Sequence, residues 1–161
     1  MTTKLDLEVV ADWEEIDGIR TRTASFLRKL GLPASAIDAV SMVTCELSEN
    51  AVKYGHYEDP EQRITIRVSR QPEGVTVEVR NPIHAEDELN LKRLDRMIQW
   101  IRGYQDPFEA YMERLKEVSS MHLDDAESGL GLVRIAYEGQ SVLDFYVDEK
   151  NVLAVSAVYD A

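Results

Sequence analysis

The most informative segment of the chain reads Glu46-Leu-Ser-Glu-Asn50-Ala51-Val-Lys53-Tyr54-Gly55. Glu46, Asn50 and Lys53 are separated by four and then three residues, which places their side chains along one line of a helix surface. A carboxylate there can accept a hydroxyl proton, a carboxamide oxygen can hold a magnesium ion, and an ammonium group can neutralise phosphate charge. The same spacing also suits an ordinary polar face of a surface helix.

A second segment, Ser128-Gly129-Leu130-Gly131-Leu132, comes directly before a short helical pattern at residues 133–137. Glycines let backbone amides approach a ligand closely, and the free amides and dipole at the start of a helix bind phosphate. Small turns before helices are also common without any ligand. The two segments together are therefore more specific than either one alone.

Around these segments, alternating apolar and polar residues predict strands at residues 4–10, 63–70, 75–79, 142–147 and 152–158. Helical spacing predicts one helix from the Asp12 cap and another from near Pro33. Further helices are predicted at residues 86–102, after the Asp106 capping box, and at residues 133–137. This order predicts an α+β fold, a two-layer α/β sandwich with a mixed, mostly antiparallel sheet and helices on one face.

Composition limits the classes of function. The chain has 161 residues, of which 44% are apolar and 30% charged, so we expect a single domain spanning residues 1–161. A net charge of −12 would repel a phosphate backbone, so nucleic acid is not an expected partner. No stretch approaches the roughly 20 continuous apolar residues of a membrane helix, and the start lacks a leader pattern. We therefore expect a cytoplasmic protein that does not bind membranes.

Metal and redox chemistry have little support in the sequence. His56, His84 and His122 show no metal-ligand spacing, and each is expected to be a surface or capping histidine. The single cysteine, Cys45, cannot form an internal disulfide and lies in an apolar helical pattern. It is expected to be a buried, reduced thiol.

The two glycine- and asparagine-containing segments resemble the GHKL (histidine kinase-like) ATPase superfamily of gyrase, histidine kinases and MutL, whose Bergerat fold has the same order of elements. Among its branches, the chain is most similar to the stand-alone anti-sigma-factor serine kinases of bacterial partner-switching systems. The resemblance implies an ATP- and Mg²⁺-dependent serine/threonine kinase that phosphorylates a small antagonist protein. A detached histidine-kinase catalytic domain is a further alternative, which would need a separate chain that offers the histidine.

The resemblance also implies a role for each matching residue. Asn50 corresponds to the asparagine that coordinates Mg²⁺, and Glu46 to the general base of the serine-kinase branch. Lys53 corresponds to a basic position common in histidine kinases. The phosphate-cradling turn corresponds to Ser128, Gly129, Leu130 and Gly131.

One motif departs from the family. Where the family has Asp-x-Gly-x-Gly, this chain has Asn81-Pro82-Ile83-His84. The family aspartate accepts a hydrogen bond from the adenine amino group, and the Asn81 carboxamide can offer an oxygen in its place. Pro82 and Ile83, however, lack the backbone freedom of glycine and can fill the adenine pocket. The alternative to a kinase is therefore a non-catalytic pseudokinase that regulates by binding other proteins.

Residues 84–127 stand where the family has its ATP lid, and they predict a helical insertion. The apolar faces of these helices can pack on the sheet, or they can dock a partner or a second copy of the chain. Trp100 and Tyr104 are the residues expected at such an interface. The expected partner is a protein regulator, either an antagonist protein or a sigma factor, and a homodimer is possible.

Overall fold

The computed structural model describes residues 3–121 and 130–160. Within them the helices and strands follow the predicted order. A 3₁₀ turn at Trp13–Glu15 precedes the first α-helix. The elements are β1 (Lys4–Val9), α1 (Ile16–Lys29), α2 (Ala34–Tyr54), β2 (Ile64–Gln71), β3 (Gly74–Pro82), α3 (Glu88–Arg102), α4 (Pro107–Met121), α5 (Leu130–Tyr137), β4 (Ser141–Val147) and β5 (Val152–Asp160).

The strands form one five-stranded sheet in the order β1-β2-β3-β5-β4. Every neighbouring pair in this sheet is antiparallel, so the described strands include no parallel pair. The long connection from β3 to β4 carries α3, α4 and α5, and β5 then returns beside β3. The predicted α+β class and sandwich are confirmed.

The core lies between the sheet and the helices. On β2 the alternate residues Ile64, Ile66 and Val68 are fully buried, and each contributes about 1.5–3 kcal/mol through removal of its side chain from water. The long helix α2 is buried along most of its length, with Val40 and Leu47 almost inaccessible. The apolar stripe of α2 therefore fixes the helix against the sheet and places its polar line at the edge of the helical layer.

The ends of several elements differ from the prediction. β3 continues beyond the predicted end at residue 79, and Asn81 and Pro82 pair with Leu153 and Val152 on β5. A proline is tolerated there because it is the last residue of the strand. The Asp12 side chain accepts a hydrogen bond from the Glu14 amide and caps the 3₁₀ turn rather than α1.

The predicted capping of α4 is confirmed. Pro107 is the first helical residue, and the Asp106 carboxylate accepts a hydrogen bond of 3.0 Å from the Phe108 amide. Cys45 is a free, buried thiol, as expected, and burial raises its pKa. No helix among the described residues is long and apolar enough to cross a lipid bilayer.

Candidate functional site

The α2 and α5 helices meet at Glu46 and Gly131, which come from the two segments singled out in the sequence. A Cβ atom built on Gly131 would lie 2.6 Å from Glu46 Oε2. Only a residue without a side chain leaves the carboxylate in this position, because real Cβ contacts are essentially never that short. The fold thus places the predicted base directly against the start of the helix predicted to bind phosphate.

Arg134 completes this contact, and the sequence interpretation missed it. It lies one helical turn beyond Gly131, and its Nη1 donates a hydrogen bond of 2.8 Å to Glu46 Oε1. Its Nε and Nη2 donate bonds of 3.1 and 3.0 Å to Glu138 Oε2. The four-residue spacing of Arg134 and Glu138 is a visible helical ion-pair signal, but nothing in the sequence connects either residue with Glu46.

Burial dominates the electrostatics of Glu46, whose side chain is 17% exposed. Removal from water raises the pKa of its carboxyl group, and the neighbouring Glu49 raises it further. The cations Arg134 and Lys53 lower that pKa and offset part of the effect. A carboxylate with a raised pKa binds a proton more readily, which is the property that a general base needs.

The other two residues of the polar line on α2 have different surroundings. Asn50 is half-buried, and within the described part of the chain its carboxamide makes no hydrogen bond. Lys53 is exposed, and its Nζ lies 5.8 Å from the centroid of the Trp13 ring, a cation–π distance. The carboxamide is therefore available to a ligand, whereas the ammonium group rests over an aromatic ring.

At the end of β3, Asn81 is almost completely buried, with 3% of its surface exposed. Its Nδ2 donates a hydrogen bond of 3.1 Å to the Pro82 carbonyl oxygen, and its Oδ1 accepts no hydrogen bond from any described residue. The next residue but one, Ile83, is also buried, and its amide donates a bond of 2.9 Å to the Asn151 carbonyl. The backbone beyond Asn81 is thus held in the sheet and the core.

The remaining predicted residues are distributed between described and undescribed parts of the chain. Ser128 and Gly129 lie outside the described residues, and Leu130 and Gly131 are the first two residues of α5. On α3, the ring of Trp100 packs edge-on against the ring of Tyr104, with centroids 5.0 Å apart. The site that the structure brings together is therefore Glu46, Gly131 and Arg134, with Asn50 one turn along α2.

Comparison with known proteins bears on this arrangement. A family model described as a histidine kinase-like ATPase domain matches residues 9–155. Among solved structures, a chain in the crystal structure of the SiaB–SiaC complex from Pseudomonas aeruginosa matches with a TM-score of 0.73 and 22% sequence identity. The match covers 96% of this chain and 88% of that one, which demonstrates a shared fold. No curated protein sequence matches the chain.

Proposed function

We propose, because this chain belongs to the histidine kinase-like ATPase family, that it binds ATP with Mg²⁺ and transfers a phosphoryl group to a serine or threonine hydroxyl of a partner protein. The observation that carries the proposal is the contact between Glu46 and Gly131. It joins a carboxylate of raised pKa to the helix start expected to hold the phosphates. A helix that served only the core would have no need of this pair.

The donor set at the phosphate end fits a magnesium nucleotide. Mg²⁺ prefers oxygen ligands and usually binds through one or two protein groups together with substrate phosphates. The half-buried carboxamide of Asn50 offers such an oxygen, since it makes no hydrogen bond to a described residue. Bound Mg²⁺ would supply charge neutralisation on the phosphates.

Glu46 would act on the acceptor rather than on the nucleotide. Its carboxylate would take the proton from the attacking hydroxyl while Arg134 keeps one carboxylate oxygen in place. Arg134 is itself held by its hydrogen bond to Glu138. The orientation of the Glu46 carboxylate therefore depends on hydrogen bonds as well as on packing. Oriented acceptors and bases of this kind lower the entropic part of the barrier.

The part of the site that would recognise the adenine ring differs from the family motif, but its chemistry is compatible with adenine. One N–H of Asn81 Nδ2 is used by the Pro82 carbonyl, while the Oδ1 accepts no hydrogen bond from a described residue and can be offered to a ligand. An oxygen acceptor is what the amino group of adenine requires, and the family aspartate supplies the same kind of atom. We therefore propose that Asn81 accepts the adenine amino hydrogen bond.

The partner that we propose is a protein regulator of the antagonist or sigma-factor kind, within a bacterial partner-switching system. The similar structure was solved as a complex of two proteins, which supports this class of partner. The chain would form a single domain, with α3 and α4 in the place of the family's ATP lid. These helices would also shape the surface that the partner meets.

A second candidate function has one specific observation in its favour. Pro82 pairs within the sheet and Ile83 is buried, so the flexible glycine segment of the family is here a fixed piece of backbone. If this backbone excludes the nucleotide, the chain would regulate by binding a protein without phosphorylating it.

The two functions are separated by Glu46→Gln, compared with Asp38→Asn as a control on the exposed side of the same helix. Both variants and the parent protein would be incubated with γ-labelled ATP and Mg²⁺, with and without a candidate partner protein, and labelled phosphate released to water or transferred to the partner would be measured. We expect Glu46→Gln to lower the rate about 100-fold or more, with ATP binding retained, and Asp38→Asn to leave it unchanged. The variant should fold normally, because a raised carboxyl pKa means that ionised Glu46 opposes folding at neutral pH.

Equal rates in the parent protein and in Glu46→Gln, at equal occupancy by ATP, would contradict the role of Glu46. No saturable binding of ATP by the parent protein, together with neither release of phosphate nor labelling of a partner protein, would favour the binding module instead.

A further inference from the structure

Two of the three histidines in the chain come together at one edge of the fold. His56 lies just after the C-terminal end of α2, and His84 lies just after the end of β3. A backbone hydrogen bond of 2.9 Å from the His56 amide to the Pro82 carbonyl ties these two segments together. The two histidines are therefore held close together by the main chain and not only by contacts between their side chains.

The side chains at this point form a compact group of ligand atoms. The imidazole rings of His56 and His84 pack edge to face, with centroids 5.0 Å apart and an interplanar angle of 87°. The carboxylate of Glu58 joins them, since its Oε1 lies 3.2 Å from His56 Nε2. One ligand atom from each of the three residues lies within 4.8 Å of the other two.

We propose that His56, Glu58 and His84 bind a divalent transition-metal ion, with zinc as the expected metal. Imidazole nitrogen and carboxylate oxygen are preferred zinc ligands, and three protein ligands leave a fourth tetrahedral position for water. Zinc–nitrogen and zinc–oxygen distances of about 2.0–2.2 Å place two tetrahedral ligand atoms about 3.3 Å apart. Because the His56 and Glu58 side chains are exposed, small rotations are enough to close the group around an ion.

The hydrogen bonds already present indicate which ring nitrogen of each histidine carries a lone pair. His56 Nε2 donates to the Glu58 carboxylate, so the lone pair of the neutral ring lies on its Nδ1. His84 Nδ1 accepts a hydrogen bond of 3.1 Å from the Glu86 amide, so that nitrogen carries the lone pair that a metal also requires. A metal ion would replace this bond and the one between His56 and Glu58. Both are single bonds in exposed positions, and water can satisfy the groups that they release.

This site is separate from the proposed Mg²⁺ position at Asn50 and does not rest on the proposed function. Magnesium is bound by oxygen, whereas two of the three ligands here are nitrogen. A bound zinc ion would cross-link the segment after α2 to the segment after β3, beside the altered Asn81-Pro82 motif. Zinc should therefore raise the unfolding temperature of the protein even when no nucleotide is present.

The test uses the full chain and zinc alone. Equilibrium dialysis against ZnCl₂ would measure the number of bound ions and the affinity, in the presence of excess Mg²⁺. We expect one zinc ion per chain in the parent protein, and a loss of affinity of more than about tenfold in His56→Ala and in His84→Ala. His122→Ala is the control for the loss of one histidine, because His122 is the remaining histidine of the chain.

Each variant would first be compared with the parent by circular dichroism and unfolding temperature without metal, so that a folding defect is recognised. Co²⁺ in place of Zn²⁺ then reports the ligands directly, since its visible absorption depends on them. We expect the parent spectrum to be lost in His84→Ala and kept in His122→Ala. The proposal is overturned if the parent retains no zinc after dialysis, or if His56→Ala and His84→Ala bind zinc as the parent does.

Discussion

Glu46 on α2 is a half-buried polar residue and Asn81 on β3 is a fully buried one, and the groups that surround them differ. Charged side chains surround Glu46, and Arg134 and Glu49 push its pKa in opposite directions. Asn81 is bonded to the backbone of the following residue, and the chain beyond it is fixed by pairing with β5. Side chains can rearrange at the first position, whereas the second is set by the main chain.

The contrast indicates how the two ends should respond to substitution. At the proposed phosphate-binding end of the site, where Glu46 contacts Gly131, changes should alter the rate of transfer and its pH dependence while the fold persists. At the proposed adenine-binding end, around Asn81, changes should alter the affinity for the adenine base. The predictions below test whether the two ends can be separated in this way.

The largest effect is expected from Gly131→Ala. The new methyl group would lie 2.6 Å from Glu46 Oε2, and the flexible carboxylate would move away rather than the backbone. A base displaced by about 1 Å costs about 100-fold in rate, so phosphate release should fall by that order. The free energy of unfolding should change little, because alanine favours a helix more than glycine does.

Gly18→Ala on α1 is the matched control, because an added Cβ there meets no atom within 4 Å. It should leave the rate unchanged and stabilise the protein by about 0.5–1 kcal/mol. Thermal unfolding and phosphate release measured on both variants would check the pair. An unchanged rate in Gly131→Ala would show that the Glu46–Gly131 contact has no part in transfer.

A smaller effect is expected from Asn81→Ala. Loss of one hydrogen bond to adenine, worth about 1.4 kcal/mol, should weaken ATP binding about tenfold. Binding of inorganic tripolyphosphate should not change, because that ligand has no base. Competition titrations with both ligands would measure the difference. If the substitution weakened the binding of ATP and of tripolyphosphate equally, Asn81 would stabilise the whole site and would not specifically bind adenine.

The smallest effect is expected from Arg134→Ala, and it depends on pH. Arg134 lowers the raised pKa of Glu46, so its removal should raise that pKa further. The transfer rate should then begin to fall at a higher pH as the solution is made more acidic. Since the ionised carboxylate already opposes folding, the variant should lose about 1 kcal/mol of stability at neutral pH and less at acid pH.

Arg96→Ala on the exposed face of α3 is the control for loss of a surface cation. Rate–pH profiles and unfolding free energies at two pH values would check the prediction. If the rate–pH profile of Arg134→Ala coincided with that of the parent protein, Arg134 would have no influence on the reactivity of Glu46.

The order of the elements could be predicted because it depends on local patterns. The alternation of Ile64, Ile66 and Val68 predicts a strand that is buried on one face, and the structure has it there. The predicted cap at Asp106 marks the start of α4 for a local reason, because its carboxylate accepts a hydrogen bond from the Phe108 amide. Glu46 and Asn50 could also be found, since a helix fixes their relative positions from spacing alone.

What the sequence could not predict were contacts between distant segments. Arg134 reaches Glu46 only because α5 packs beside α2, and no spacing rule connects them. The pairing of His56 with His84 likewise depends on where α2 and β3 end in space. The extension of β3 to Pro82 was missed because proline usually marks the end of a strand pattern, and here the pairing with β5 carries it to the last residue.

The most direct test of the account is isothermal titration of the parent protein with ATP and Mg²⁺, beside Asn50→Ala and the control Asn90→Ala on α3. The account predicts saturable binding in the parent and in Asn90→Ala, and binding weaker by about tenfold or more in Asn50→Ala. No binding by the parent at millimolar ATP, or equal affinity in the parent and Asn50→Ala, would contradict it.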